Sequence, residues 1–414
     1  MIAWTRRLCC YSVRRQQLVQ TIRKSFNTDK FCCVIDAGKF TYRSPDVVNK
    51  FKPRADYFYL TGFTEPECVL TIDEQSSSTI YIPTRNQIEL RFDGPIQTEA
   101  CAISQKFKVR PLSDLTDILI KTKRKIFFSS DNNVKFDKQR LSNDLRPTIH
   151  KMRRVKDTHE QALIKNSCQI MCNAITEAMK HEHRNEADID IMIEQKVRKL
   201  GAHMAFIPVV ASGSNAADAI HYQKNDSALS IGQSVLVDAG CEYFNYCSDI
   251  SRTFLNNGRS DQDPMFCELY NVVLDVQEYL IDQIQLYRDK CTLYDLYVAM
   301  LKQLVKLLHD RKILACPPSI DVAMDLCPHD VGHHLGIDVH DAGMSVTGEV
   351  LRTGNVITVE PGLYISRDCK HVKPEFRGYA IRIEDDILIT EDSVKNLTIS
   401  CPKTLTQIQA LVCS

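Results

Sequence analysis

The chain has 414 residues, 44% of them hydrophobic and 25% charged, a globular composition on a length that favours two cores over one. Lys and Arg together number 52, as do Asp and Glu, and a net charge of zero argues against nucleic acid as the main partner, which calls for a basic face. No run of roughly 18 apolar residues occurs, so no transmembrane helix is expected. The 17 cysteines, scattered without a CxxC pair, fit neither a zinc ribbon nor a disulfide framework and read as reduced, mostly buried thiols.

Residues 1–28 hold Arg6, Arg7, Arg14, Arg15, Arg23 and Lys24, with no acid before Asp29. That is the make-up of a mitochondrial presequence, and it overlaps a helix over 14–22 that would open the first domain. Residues 30–145 alternate short strands and helices. The strand candidates are 31–35, 58–60, 69–72, 80–83 and 125–129, rich in β-branched and aromatic residues. From about 151 to 200 the period changes to that of a helix, carried by Leu163, Ile164, Ile170, Met171, Ile175 and Met179. A boundary falls near 148–156, where Lys151, Arg153, Arg154 and Lys156 cluster. The expected organisation is a presequence over 1–28, an N-terminal α/β domain over 29–150 and a second α/β domain over 151–414.

The second domain repeats a motif. Leu229, Gly232, Asp238 and Gly240 are spaced like Leu351, Gly354, Glu360 and Gly362. Each copy reads as a turn, a buried strand, an acid at its end and another turn. One such acid would be an ordinary solvated strand end; two in register suggest related halves that present carboxylates to a shared centre. Asp249 follows Asp238 by eleven, with a hairpin turning near 243–245. The two carboxylates are expected to face each other across it, with Cβ atoms about 5 Å apart, where like charges need a cation between them. Further on, Arg382, Glu384 and Asp386 alternate along one strand face, with Ile381 and Ile383 on the other. Spacing does not decide which acid of this run is a ligand; Asp385 and Asp386 read as a solvated strand end.

Four of the 12 histidines, His329, His333, His334 and His340, fall within twelve positions interleaved with Gly332 and Gly336. A lone histidine is more often structural, but this clustering points to a site. Carboxylates with one imidazole suit hard divalent ions such as Mn²⁺. Two ions about 3.5–4 Å apart would bridge a hydroxide and clamp both ends of a hydrolytic reaction.

Taken together, Asp238, Asp249, His333, Glu360 and Glu384 resemble the five metal ligands of the pita-bread metallopeptidases. The runs from Cys327 to Asp341, Thr358 to Tyr364 and Phe376 to Asp386 look like the aminopeptidase P family, closest to its mitochondrial members. The stretch from Asp56 to Glu67 is similar to that family's first domain. The resemblance implies an N-terminal α/β domain followed by a pita-bread catalytic domain with a pseudo-two-fold repeat, and an aminopeptidase that hydrolyses Xaa-Pro bonds with two divalent metal ions per subunit. It assigns Asp238 to one ion, Asp249 and Glu384 to both, and His333 and Glu360 to the other, with Glu360 also relaying a proton. It places His221 and His340 at the scissile carbonyl, His329 in the proline pocket with Tyr364 and His333 among the substrate contacts, and Arg382 as a brace.

Two departures bear on substrate fit: Phe206 stands where the family often has a substrate-contacting tyrosine, and the loop to His221 is one residue longer. The partners implied are peptide or protein N-termini with proline second. A homo-oligomer is compatible with the resemblance, nucleic acid and membrane are not expected, and the location implied is mitochondrial, with the cytoplasm open as a second. A dipeptide-only prolidase and a non-catalytic binding protein on the same scaffold are the competing readings; the second is expected to lack ligands that are present here.

Overall fold

The computed structural model describes residues 2–96, 102, 107–129, 141–257, 263–343 and 348–412. The chain forms two compact units, Met1–Arg153 and Arg154–Ser414. Among the described residues no helix is long and apolar enough to cross a membrane.

The first unit is built on a six-stranded sheet in the order Lys108–Pro111, Ser78–Ile82, Val69–Asp73, Phe31–Asp36, Lys125–Ser129, Leu141–Asp144. Its central strand is buried almost throughout, as continuous apolar runs require. The helix Ile2–Phe26 buries Leu18, Val19 and Ile22. Arg14 and Arg15 are also buried, donating to the carbonyls of Tyr59 and Leu60 at 3.1 and 2.8 Å. The expected strand at 58–60 is instead part of the helix Ala55–Thr61, which ends on Gly62 at φ 71°. All seven of its residues are buried, so the apolar pattern carries no periodicity, and aromatic β-propensity alone misassigns it.

Among the described residues the second unit packs helices against four small sheets, one of them formed by Tyr246–Cys247, Cys241–Tyr243 and His203–Met204. Thr158–Met179, Glu186–Lys199 and Leu293–Asp310 each start on a capping box, led by Asp157, Asn185 and Thr292. Of the other three, one orders Val209–Ser212, Ser234–Ala239 and Ile250–Leu255; a second orders Val356–Val359, Asp385–Ile389 and Val394–Asn396; a third pairs Gly362–Ile365 with Tyr379–Arg382. Val235, Val237, Ile357 and Val359 point into one apolar core with Met171, Ile175 and Val273.

The repeated motif folds the same way twice. Gly232 and Gly354 both take positive φ, 77° and 89°. Each donates its N–H at 2.8 Å to the far end of the next antiparallel strand, at Asn256 and Ile389. Each turn therefore launches a buried strand that delivers an acid to the same region, Asp238 in one copy and Glu360 in the other.

Candidate metal centre

Asp238 lies near the end of Ser234–Ala239, and Asp249 immediately precedes Ile250–Leu255. The hairpin between them turns on Phe244 and Asn245, both at positive φ. That centring shifts the register: Asp238 pairs with Ser251 and Glu242 with Cys247. The two acids are thus offset by two residues rather than directly opposed, as the sequence suggested. They remain close: after burial, the charge of Asp238 is the next cause that raises the pKa of Asp249. The offset places Ser251 opposite Asp238, a position that sequence reasoning did not mark.

His333 is fixed by its neighbours. A Cβ on Gly332 would lie 2.1 Å from the Thr358 carbonyl, so only glycine lets this segment approach. His333 N–H then donates to Thr358 Oγ1 at 3.0 Å, and Thr358 N–H to the His333 carbonyl at 2.9 Å. His333 Nδ1 sits 3.1 Å from the His334 carbonyl. With the proton on Nδ1, the Nε2 lone pair faces Asp249 Oδ2 at 3.5 Å and Glu360 Oε1 at 3.6 Å, the arrangement a metal-ligating imidazole takes. The Thr358 hydroxyl also reaches Glu360 Oε1 at 3.2 Å.

Glu384 sits where the chain leaves Tyr379–Arg382 and enters Asp385–Ile389. Ser251 Oγ donates to its Oε2 at 2.6 Å and accepts from Arg382 Nε at 2.9 Å. Arg382 extends Nη2 to Asp238 Oδ2 at 2.6 Å and Nη1 to the Tyr364 hydroxyl at 2.5 Å. Tyr364 in turn meets His329 Nε2 at 2.9 Å. The brace thus runs from the acids to the histidine cluster.

Asp249, His333 and Glu384 offer ligand atoms within 4.8 Å of one another. Burial, then the neighbouring acids, hold the carboxyls of Asp249 and Glu384 well above the usual range. Asp238 Oδ1 and Asp249 Oδ1 are buried with no hydrogen-bond partner among the described residues. Unpartnered acceptors of one sign, converging with an imidazole, are the chemistry of a cation site. The donor set therefore fits divalent metal. Beside it, His221, His329, His333, His340 and Glu360 line a cavity of about 130 Å³. The His340 ring lies 4.3 Å from that of His333, and burial lowers its pKa, so it stays neutral more readily than a free histidine. Phe206 is not on that wall among the described residues; its ring packs at Gly240, 2.6 Å from where a Cβ would stand.

Asp385 and Asp386 are not a solvated strand end: both are fully buried. Their strand is the central one of its sheet. Asp385 is held below the carboxylate range by Arg252 and Lys403, against its burial, and also receives bonds from Gln277, Asn396 and Thr398. Asp386 accepts the backbone N–H of Asp249 at 3.1 Å and the Cys168 thiol at 3.2 Å, and burial pushes it up to about 7. One signal pointed to Asp385: Arg252 is a lone cation in an otherwise uncharged strand and requires a buried partner.

With this geometry the chain belongs to metallopeptidase family M24, whose description matches residues 162–391. The aminopeptidase P N-terminal domain matches residues 11–127. The chain is 30% identical to the Xaa-Pro aminopeptidase of Escherichia coli, over 96% of each chain. It is 30% identical to Xaa-Pro aminopeptidase 3 of Mus musculus, over 98% of this chain and 85% of the relative. It is 31% identical to the mitochondrial intermediate cleaving peptidase 55 of Arabidopsis thaliana, over 97% and 82%. Among solved structures, E. coli aminopeptidase P with the inhibitor Pro-Leu superimposes with a TM-score of 0.86 at 27% identity, covering 98% of each chain.

Proposed function

We propose that this metallopeptidase is a Xaa-Pro aminopeptidase in which Asp238, Asp249, His333, Glu360 and Glu384 hold two divalent ions, Mn²⁺ by the hardness of the donors. The observation that carries the reading is the convergence of these donors, with unpartnered Asp238 Oδ1 and Asp249 Oδ1, beside a histidine-lined cavity. When bound, such ions supply Lewis-acid charge and ease deprotonation of water. The protein's own groups do the rest. Glu360 takes the proton of the attacking water at a carboxylate oxygen and delivers it to the departing proline nitrogen. His340 and His221 donate toward the developing oxyanion. His329 and Tyr364, hydrogen-bonded to each other, form the wall for the proline ring, and Arg382 holds Asp238 and Tyr364 in place.

Proline gives the site its selectivity. Its nitrogen carries no N–H, so a peptidase relying on strand-like backbone contacts gains nothing there. With Mn²⁺ restored to chelated protein, Xaa-Pro-Yaa tripeptides are cleaved and Xaa-Ala-Yaa is rejected. Similar kcat/KM for the two removes the assignment, and faster cleavage of Xaa-Pro dipeptides than of tripeptides makes the protein a prolidase.

We also infer a mitochondrial location, supported by the basic, acid-free residues 1–28 and by the similarity to a mitochondrial peptidase of A. thaliana. The helix Ile2–Phe26 lies within that segment and is packed into the first unit from Tyr11 onward, so a removable leader would end before Tyr11.

A further inference from the structure

We propose that Cys316, His371 and Asp325 form a second reactive site, a peroxide-sensitive thiol served by its own base, separate from the metal centre. Cys316 Sγ lies 3.8 Å from His371 Nδ1 and 3.6 Å from the His371 carbonyl, and His371 Nε2 lies 3.0 Å from Asp325 Oδ2. The three side chains thus stand in the order thiol, imidazole, carboxylate, with one partner on each ring nitrogen. Asp325 draws the ring proton to Nε2 and leaves the Nδ1 lone pair facing the thiol. A nucleophile within reach of a base that a third group orients is the arrangement that activates a cysteine.

An exposed histidine–aspartate pair is ordinarily a surface contact. Here the backbone fixes the thiol on the other side of the ring. Leu314 bridges Val372, Ala315 N–H donates to the His371 carbonyl at 2.9 Å, and Lys373 N–H donates to the Ile313 carbonyl at 3.0 Å. Asp325 is presented by the helix Ile320–Leu326. Cys316 is half-buried, and the His371 and Asp325 side chains are 34% and 65% exposed, so small solutes reach the group. Cys33, Cys68, Cys168 and Cys241 differ: each is buried, and burial pushes its thiol up, away from ionisation. None of the three residues lines the cavity at the metal centre.

With hydrogen peroxide the step balances. The Cys316 thiol proton passes to His371 Nδ1, and the thiolate sulfur attacks one peroxide oxygen. The S–O bond forms as the O–O bond breaks, and His371 returns the proton to the departing hydroxide as water. Cys316 is oxidised to the sulfenic acid and the peroxide is reduced.

The test uses the reduced full-length protein. Iodoacetamide labelling is followed cysteine by cysteine by mass spectrometry from pH 6 to 9, and sulfenic acid formed by dilute peroxide is trapped with dimedone. Cys316 should take up dimedone before the half-buried Cys369. His371→Gln should slow alkylation of Cys316 at pH 7 roughly tenfold, because an unassisted thiol is only a few per cent ionised there. Asp325→Asn, at an exposed position that the fold tolerates, should slow it by a smaller factor. The proposal is overturned if the Cys316 alkylation rate at pH 7 is the same in the wild type and both variants, or if Cys369 traps dimedone first.

Discussion

Glu384→Gln separates the electrostatic character of the centre from its fold. A Glu384 oxygen lies within 4.8 Å of an Asp249 oxygen. Two unit charges at that separation repel by about 3 kcal/mol at an effective dielectric of 20. Glutamine removes the charge yet keeps an oxygen to accept from Ser251, whose hydroxyl is 2.6 Å away. Burial and the neighbouring acids raise the folded-state pKa of both carboxyls. The sign follows: the folded apo protein binds protons more tightly than the unfolded chain, so their contribution is fully present below about pH 4 and is lost as pH rises through the raised values. Chelated Glu384→Gln should therefore match wild type near pH 4 and exceed it by up to about 3 kcal/mol at pH 8, a melting shift of roughly 6–12 °C for a unit of this size. Adding Mn²⁺ at pH 8 should reverse the order, because wild type gains stability from the ions it holds and the variant gains less. Thermal unfolding by calorimetry between pH 4 and 8.5, in chelator and in Mn²⁺, measures all of this. A chelated variant less stable than chelated wild type at pH 8 would refute the account of a centre strained by like charges.

Three further outcomes are expected. His333→Ala should lower metal content at limiting Mn²⁺ and recover partly with excess, whereas His340→Ala should keep its metal and lose about 10²–10³-fold in kcat without rescue; elemental analysis beside steady-state kinetics decides, and the opposite pattern reverses the two roles. Glu186 is fully buried and binds Ser212, Asn215 and Ser227, which flank the loop carrying His221; Glu186→Ala should cut kcat/KM about tenfold with metal content unchanged, and should add nothing in a His221→Ala background, where full additivity would mean that it acts only on stability. A fluorescent reporter carrying residues 1–30 should enter mitochondria, and a diffuse cytosolic signal counts against the address.

What the sequence determined by itself was local. The spacing of Gly232, Asp238 and Gly240, repeated at Gly354, Glu360 and Gly362, specified two turns, two buried strands and two acids at their ends, because turn geometry and strand period act over a few residues. The histidine run was legible for the same reason. Tertiary structure decided whatever depended on a distant partner. Asp385 and Asp386 have the composition of a wet strand end, yet their burial depends on Arg252, 133 residues away, and on the backbone of Asp249, 137 residues away. The hairpin register turned on which two residues took positive φ, moving Ser251 opposite Asp238. Cys316 and His371 stand 55 residues apart and meet only through a backbone bridge. A carboxylate or a thiol has the same chemistry wherever it sits in the sequence; its burial and its neighbours set its charge, and those are fixed only when the chain has folded.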